Sequence, residues 1–241
     1  ERLRRFPSAR IDSGPMLVLA LETGSAQGSV ALLEDGRVLA EEALGDRLDQ
    51  ERNLVPALES LVRDRGFEPA ALGLVAAGTG PGSFTGLRIG LACAKTLALA
   101  LGKDLVGVPT FDALPANVPA SAERCAPVLD ARRGRVFGAW FFREGGSWVR
   151  ETEDLWLAPG ELADRIPKGA LVFGSGAAAY PDAFRSAGHA LGNPAWAIAR
   201  ASEIGRLGIA RHAAGMRADP RTLEPVYLCR LAVEEKLAGG A

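Results

Sequence analysis

Two stretches of this chain, opening at Leu17 and at Pro127, pass through the same order of elements. A repeat of this kind constrains a fold more than any short motif does. In the first copy the apolar run 17–21 ends in Glu22-Thr23-Gly24. A polar turn leads to a second run, 29–33, and Asp35-Gly36 separates it from a third, 37–43. Asp-Gly between apolar runs predicts a hairpin, because both central positions of the tight turn take positive φ. In the second copy the run 127–129 ends in Asp130-Ala131-Arg132-Arg133-Gly134, followed by strand 135–142, a Gly145-Gly146 turn and strand 148–152. Each copy then continues with a helix, a buried strand, a glycine turn and a further helix. These are 53–65, 74–77, 78–82 and 83 onward in the first, and 159–166, 170–173, 174–176 and 177–187 in the second.

Three strands in meander followed by alternating helix and strand, given twice, predict an α/β protein of two lobes. The pattern is that of the actin, sugar-kinase and Hsp70 superfamily (ASKHA, RNase H-like). The lobes are expected at 16–112 and 113–241, with the boundary placed by Pro109, Pro115 and Pro119, and with the last helix packing back on the first lobe. In that superfamily a nucleotide sits between the lobes, strand-end carboxylates hold metal and water, and glycine turns admit phosphates. By position, Glu22, Thr23 and Gly24 in one lobe and Asp130, Gly174 and Gly176 in the other are candidates for a vestigial nucleotide cleft.

Bulk properties narrow the function classes. With 241 residues, 48% of them hydrophobic, the chain can fill real cores. A formal net charge of -1, from 28 basic and 29 acidic residues, supplies no global field for nucleic acid, so any RNA contact must use a local patch or a partner's surface. Three widely spaced cysteines, Cys93, Cys125 and Cys229, imply buried thiols in a reducing compartment rather than a disulfide framework. Residues 1–15 are arginine-rich without the core of a secretory signal; they read as a disordered extension, or as a basic RNA-binding arm. No apolar run reaches the roughly 20 residues that cross a bilayer, and a cytoplasmic protein with no membrane role is expected.

The segment 78–92, Gly-Thr-Gly-Pro-Gly-Ser-Phe-Thr-Gly-Leu-Arg-Ile-Gly-Leu-Ala, is neither a Walker A loop nor a dinucleotide fingerprint. It reads either as an anion-binding turn or as a plain strand-to-helix turn with Ser83 capping the helix. That helix, 84–101, has Thr85, Arg88, Lys95 and Thr96 as its only clearly polar positions. An apolar helix without a polar face is buried on both sides. The second cover is either its own domain or another chain, and Gly86, Gly90, Ala94 and Ala98 would let a neighbouring helix approach. In the preceding helix Leu54, Leu58, Leu61 and Val62 follow helical spacing, with Asn53 as N-cap and Pro56 in the first turn.

These residues carry a family resemblance. The segment 78–92, with Leu-Ala-Leu-Glu-Thr at 19–23, Pro-Val-Leu-Asp-Ala-Arg-Arg at 127–133 and Glu-Pro-Val-Tyr-Leu at 224–228, resembles the TsaB (YeaZ) family. That family is the dimerisation subunit of the bacterial machinery for threonylcarbamoyladenosine (t6A) in tRNA. The resemblance implies a non-catalytic paralogue that pairs with a TsaD-type catalytic subunit and works with a TsaE-type ATPase. The modified base would be adenosine 37 of tRNAs reading ANN codons. It puts the partner interface on the two helices of the first lobe, through Leu54, Leu58, Leu61, Val62, Leu87, Arg88, Leu91 and Lys95. The chain departs from the pattern at Glu22, where relatives commonly have aspartate, and at Gln50-Glu51-Arg52-Asn53, where relatives often carry histidine.

No catalytic or metal residue is assigned. His189 and His212 stand far apart, so the HxxxH metal site of the catalytic relatives is absent, and no nucleophile elbow occurs. An active phosphotransferase or ATPase of the same fold is the alternative reading, with ATP at the cleft or the complex interface and no cofactor of the subunit's own. Arg132 and Arg133 neutralise Asp130, contact tRNA phosphate, or form a solvated turn. An uncovered apolar helix would also favour a homodimer when the chain is alone.

Overall fold

The computed structural model describes residues 15–228. Residues 1–14 of the extension expected at 1–15, and Cys229, lie outside the described residues. The chain divides into two compact units, one formed by residues up to Asn117 together with Ile198–Pro225, the other centred on Val118–Ala197. The first division thus falls a little after the expected 112/113, and the chain returns to the first unit at Ile198.

In the first unit β1 (Leu17–Glu22), β2 (Gly28–Glu34) and β3 (Arg37–Gly45) form the antiparallel meander, and β4 (Leu72–Gly78) and β5 (Asp104–Val108) add parallel to β1. The sheet order is β3-β2-β1-β4-β5. Asp35 and Gly36 take φ of 50° and 84°, as the hairpin requires. Helices α1 (Arg47–Arg63) and α2 (Phe84–Leu101) cover one face, where Leu19, Leu21, Leu32 and Val75 meet Leu54, Leu58, Leu61 and Leu91 in one core. A short helix, α3 (Thr110–Ala113), follows β5.

Alternation along a strand sends every second residue to the opposite face. There Ala20, Leu33 and Ala76 lie under the last helix among the described residues, 201–213. Gly205 makes the close approach possible, since a Cβ on it would stand 2.5 Å from Leu33 Cδ1. The start of this helix and the residues before it are held by the β1–β2 turn and the sheet. Ala199 N–H donates to Ser25 Oγ, Ala201 N–H to Ser29 Oγ, and Ser202 N–H to Glu41 Oε1.

One expectation fails in α1. The helix opens at Arg47, not near Asn53, because Asp46 is the cap: its carboxylate accepts Asp49 N–H at 3.3 Å and its carbonyl accepts Gln50 N–H at 3.0 Å. Asn53 and Pro56 fall inside the helix, and Asn53 Nδ2 donates to Leu44 O.

The second unit contains β6 (Arg124–Arg132), β7 (Arg135–Gly138), β8 (Phe141–Glu144), β9 (Ser147–Arg150), β10 (Leu155–Leu157), α4 (Pro159–Arg165), β11 (Leu171–Phe173), α5 (Ser175–Ala179), α6 (Pro181–Ser186) and β12 (Ala190–Leu191). The chain ends its described helices with α7 (Ala201–Ala213) in the first unit. Order β10-β7-β6-β11-β12 repeats β3-β2-β1-β4-β5 strand for strand. The counterpart of β3 is therefore β10, a strand not expected from the sequence, and β8–β9 is an inserted hairpin. The single strand expected at 135–142 lapses at Ala139 and Trp140. In a constant register these lie opposite Pro127 and Ala126, and proline has no N–H for the ladder. The single helix expected at 177–187 is likewise two, divided where Pro181 opens α6.

Candidate partner-binding face and the sealed carboxylate

The end of β1 is folded into the start of α2. Glu22 is fully buried, and its Oε1 accepts Gly24 N–H at 2.7 Å and Ser25 N–H at 3.0 Å. Its Oε2 accepts the Thr110 hydroxyl at 3.2 Å, and Thr110 Oγ1 in turn accepts Gly80 N–H. Burial pushes this carboxyl up to about 7, against the pull of the hydrogen bonds it accepts. A Cβ on Gly78 would fall 2.0 Å from Oε2, so no room is left beside the group.

Thr23 does the same work one residue on. Its hydroxyl donates to Gly86 O at 2.8 Å inside the first turn of α2, and Gly24 O accepts Ser83 N–H. A Cβ on Gly86 would stand 2.0 Å from Thr23 O, and one on Gly90 2.0 Å from Thr23 Oγ1. The small residues at these two positions admit the chain's own β1–β2 turn, not a neighbouring helix. Ser83 caps α2 as its sequence predicts, accepting Gly86 N–H at 3.3 Å, and Gly102 ends it in the left-handed conformation. The strand-to-helix turn is what this glycine segment builds.

The positions assigned to a nucleotide are engaged within their own units. Glu22 has both oxygens engaged within its own unit. In the second unit the Asp130 carboxylate accepts Arg132 N–H at 2.9 Å and lies 3.6 Å from the Arg132 guanidinium. The Cβ position of Gly174 is 2.4 Å from Val128 O and that of Gly176 2.8 Å from Val128 Cγ1, so these glycines serve the seating of α5 on β6. Among the described residues no group of three or more His, Cys, Asp or Glu is placed to hold a metal ion. His189 is buried with Nε2 2.8 Å from Ala163 O, and His212 Nε2 is 2.7 Å from Asp104 Oδ2.

The expected interface residues need correction. Leu54, Leu58, Leu61, Val62, Leu87 and Leu91 are each 6% exposed or less and belong to the core of the first unit. They hold the two helices on the sheet and are not surface contacts. Of that set only Arg88, stacked over the Phe84 ring at 3.9 Å, and Lys95, whose Nζ donates to Leu223 O, reach the surface. Nor is α2 covered on both sides: Gly86, Leu87, Gly90, Leu91, Ala94 and Ala98 form one buried stripe. Its length and mean hydropathy of 1.4 would suffice for a membrane span, but that stripe packs on the sheet. Outside that stripe the surface of α2 is mixed: Leu99 is 54% exposed and Phe84 37%, beside exposed Thr85, Arg88 and Thr96, and Val55 on the adjoining α1 is 62% exposed. Sequence reasoning missed these because a helix that is apolar all round does not reveal which stripe its sheet will take.

The chain is similar to known proteins of one family. A family model described as TsaD, tRNA N6-adenosine threonylcarbamoyltransferase, matches residues 48–171. An Escherichia coli protein named tRNA threonylcarbamoyladenosine biosynthesis protein TsaB is 30% identical over 230 residues, covering 93% of this chain and 99% of that one. A Bacillus subtilis protein of the same name is 34% identical over 131 residues, 54% of this chain and 57% of its own length. A solved structure of YeaZ from Pseudomonas aeruginosa matches with a TM-score of 0.75 at 27% identity, covering 87% of this chain and all of that one.

Proposed function

The chain belongs to the TsaB/YeaZ family, and on that premise we propose that it is a non-catalytic subunit that pairs with a TsaD-type catalytic subunit in forming threonylcarbamoyladenosine in tRNA. The observation that carries the reading is the similarity to a protein named TsaB along nearly the whole chain; on α1 and α2, Val55, Phe84 and Leu99 stand in water outside a filled core. These three side chains are where the contact with the partner is placed. A TsaE-type ATPase and tRNA enter through the assembled complex, acting at adenosine 37 of ANN-reading tRNAs in the cytoplasm. Alone, the chain has no activity and covers the same face with a second copy.

The phosphotransferase alternative finds no support in the sealed Glu22 or in the turned-in Asp130. Size exclusion with light scattering, on the protein alone and mixed with its TsaD-type partner, tests the proposal. The expected result is a heterodimer formed at the expense of any homodimer. Absence of a complex, with or without nucleotide, would overturn it.

A further inference from the structure

The two sheets are covered by different elements. The first has α1 and α2 on one face and α7 on the other, whereas in the second unit Val128, Val136 and Gly138 turn towards α4 and the core it closes. Alternation therefore places Leu129, Arg135, Phe137 and Trp156 on the opposite side. Leu129 stands directly across from Phe137, and Phe137 directly across from Trp156, so the three make one row over β6, β7 and β10. All three are half-buried, and the Arg135 guanidinium lies 5.0 Å from the centre of the Trp156 ring. The Trp156 indole N–H is shielded from water and has no hydrogen-bond partner among the described residues. At the end of the row the β6–β7 turn presents Arg132, 77% exposed, and Arg133, also exposed.

We infer that this face binds unpaired RNA, with Arg132, Arg133 and Arg135 on phosphates and the Phe137–Trp156 pair offering a surface on which bases stack. Guanidinium groups match phosphate charge and geometry, and aromatic rings beside them take bases irrespective of sequence. The chain has a net charge of only -1, so a local arginine cluster rather than a global field supplies the attraction. The inference rests on the tRNA reading above and deepens it by giving this subunit its own share in holding the RNA.

Fluorescence anisotropy of a short labelled oligouridylate, and of an unmodified tRNA transcript, tests this with the full chain alone and paired with the TsaD-type subunit. The wild type is expected to bind the oligonucleotide at low salt. Reversing both charges (R132E together with R133E) should weaken binding about tenfold or more. It should also flatten the dependence of log affinity on log salt by about 0.7 for each phosphate no longer neutralised. Trp156→Ala should weaken binding about fivefold or more without changing that salt slope, and Trp156→Phe should restore it. No oligonucleotide binding by the wild type, or equal binding by the charge-reversed variant, would overturn the inference. Loss of partner pairing in that variant, with RNA binding intact, would assign the face to a protein and overturn it as well. Failure of the wild type to pair with the TsaD-type subunit would instead sink the functional reading, so the two failures are distinguishable.

Discussion

Thr110 donates its hydroxyl to Glu22 Oε2 at 3.2 Å, across 88 positions of sequence. Through it the end of β1 is tied to the helix that follows β5, and Gly80 N–H completes the chain of hydrogen bonds on the same Thr110 oxygen. The carboxylate that the fold family offers to a nucleotide is here an internal bond of the first unit.

Stability should fall as pH rises through the range in which only the folded chain keeps the Glu22 proton. That carboxyl titrates near 7 in the folded chain against an ordinary 4.5. Below 4.5 both folded and unfolded chains carry the proton, and above 7 neither does, so the loss accrues between those values and then levels off. Its size is on the order of 3 kcal/mol. Glu22→Gln removes the titration, and urea unfolding across this range should show a shallower decline than in the wild type. Equal slopes would contradict the assignment.

Gly86→Ala places a methyl 2.0 Å from the Thr23 carbonyl oxygen, so the first turn of α2 must move off the β1–β2 turn. A loss of about 3 kcal/mol is expected by urea unfolding. Ala92→Ser, on the exposed side of the same helix, should stay within about 0.5 kcal/mol. Comparable losses at both positions would show that the close approach does not set the cost.

Core and face should separate cleanly along α1 and α2. Leu91→Ala, 2% exposed, should cost about 2–5 kcal/mol in unfolding free energy through the cavity it leaves. Val55→Glu and Leu99→Glu alter side chains already in water and should fold normally, yet weaken pairing with the TsaD-type subunit about tenfold or more by desolvating a charge. Calorimetric titration with the partner measures this, and unchanged affinity in both variants would remove the face from the interface.

Burial pushes the Cys125 thiol up to about 12 and leaves it no exposed surface, while Cys93 is half-buried with its thiol also raised. The thiolate is the reactive form. Peptide-level mass spectrometry after iodoacetamide treatment at mildly alkaline pH should find Cys125 unmodified in the folded protein and modified in urea. Labelling at the same rate in both would contradict the burial.

The first unit was legible wherever the signal is local. Asp35-Gly36 specified its hairpin, Ser83 its cap, and the apolar run 84–101 gave α2 its full extent. In α1 a local signal was present and read in the wrong place: Asp46, with Asp49 three residues on, outcompetes Asn53 as cap. In the second unit the Asp130 turn was clear, but which later segment pairs with β7 was not. Segments 147–150 and 155–157 are both short and apolar enough to be strands, and only long-range pairing selects the latter as the counterpart of β3.

Turns, caps and hydrophobic period are energies between near neighbours in the chain, so the amino-acid sequence alone was enough to set the duplicated α/β plan. Three features came only with the folded chain: the stripe of α2 that faces the sheet, the closure of Glu22 by Thr110, and the pairing that sets Phe137 beside Trp156. Each depends on residues far apart in sequence. Burial and desolvation there are set by what the rest of the chain brings alongside, not by the residue's own neighbours.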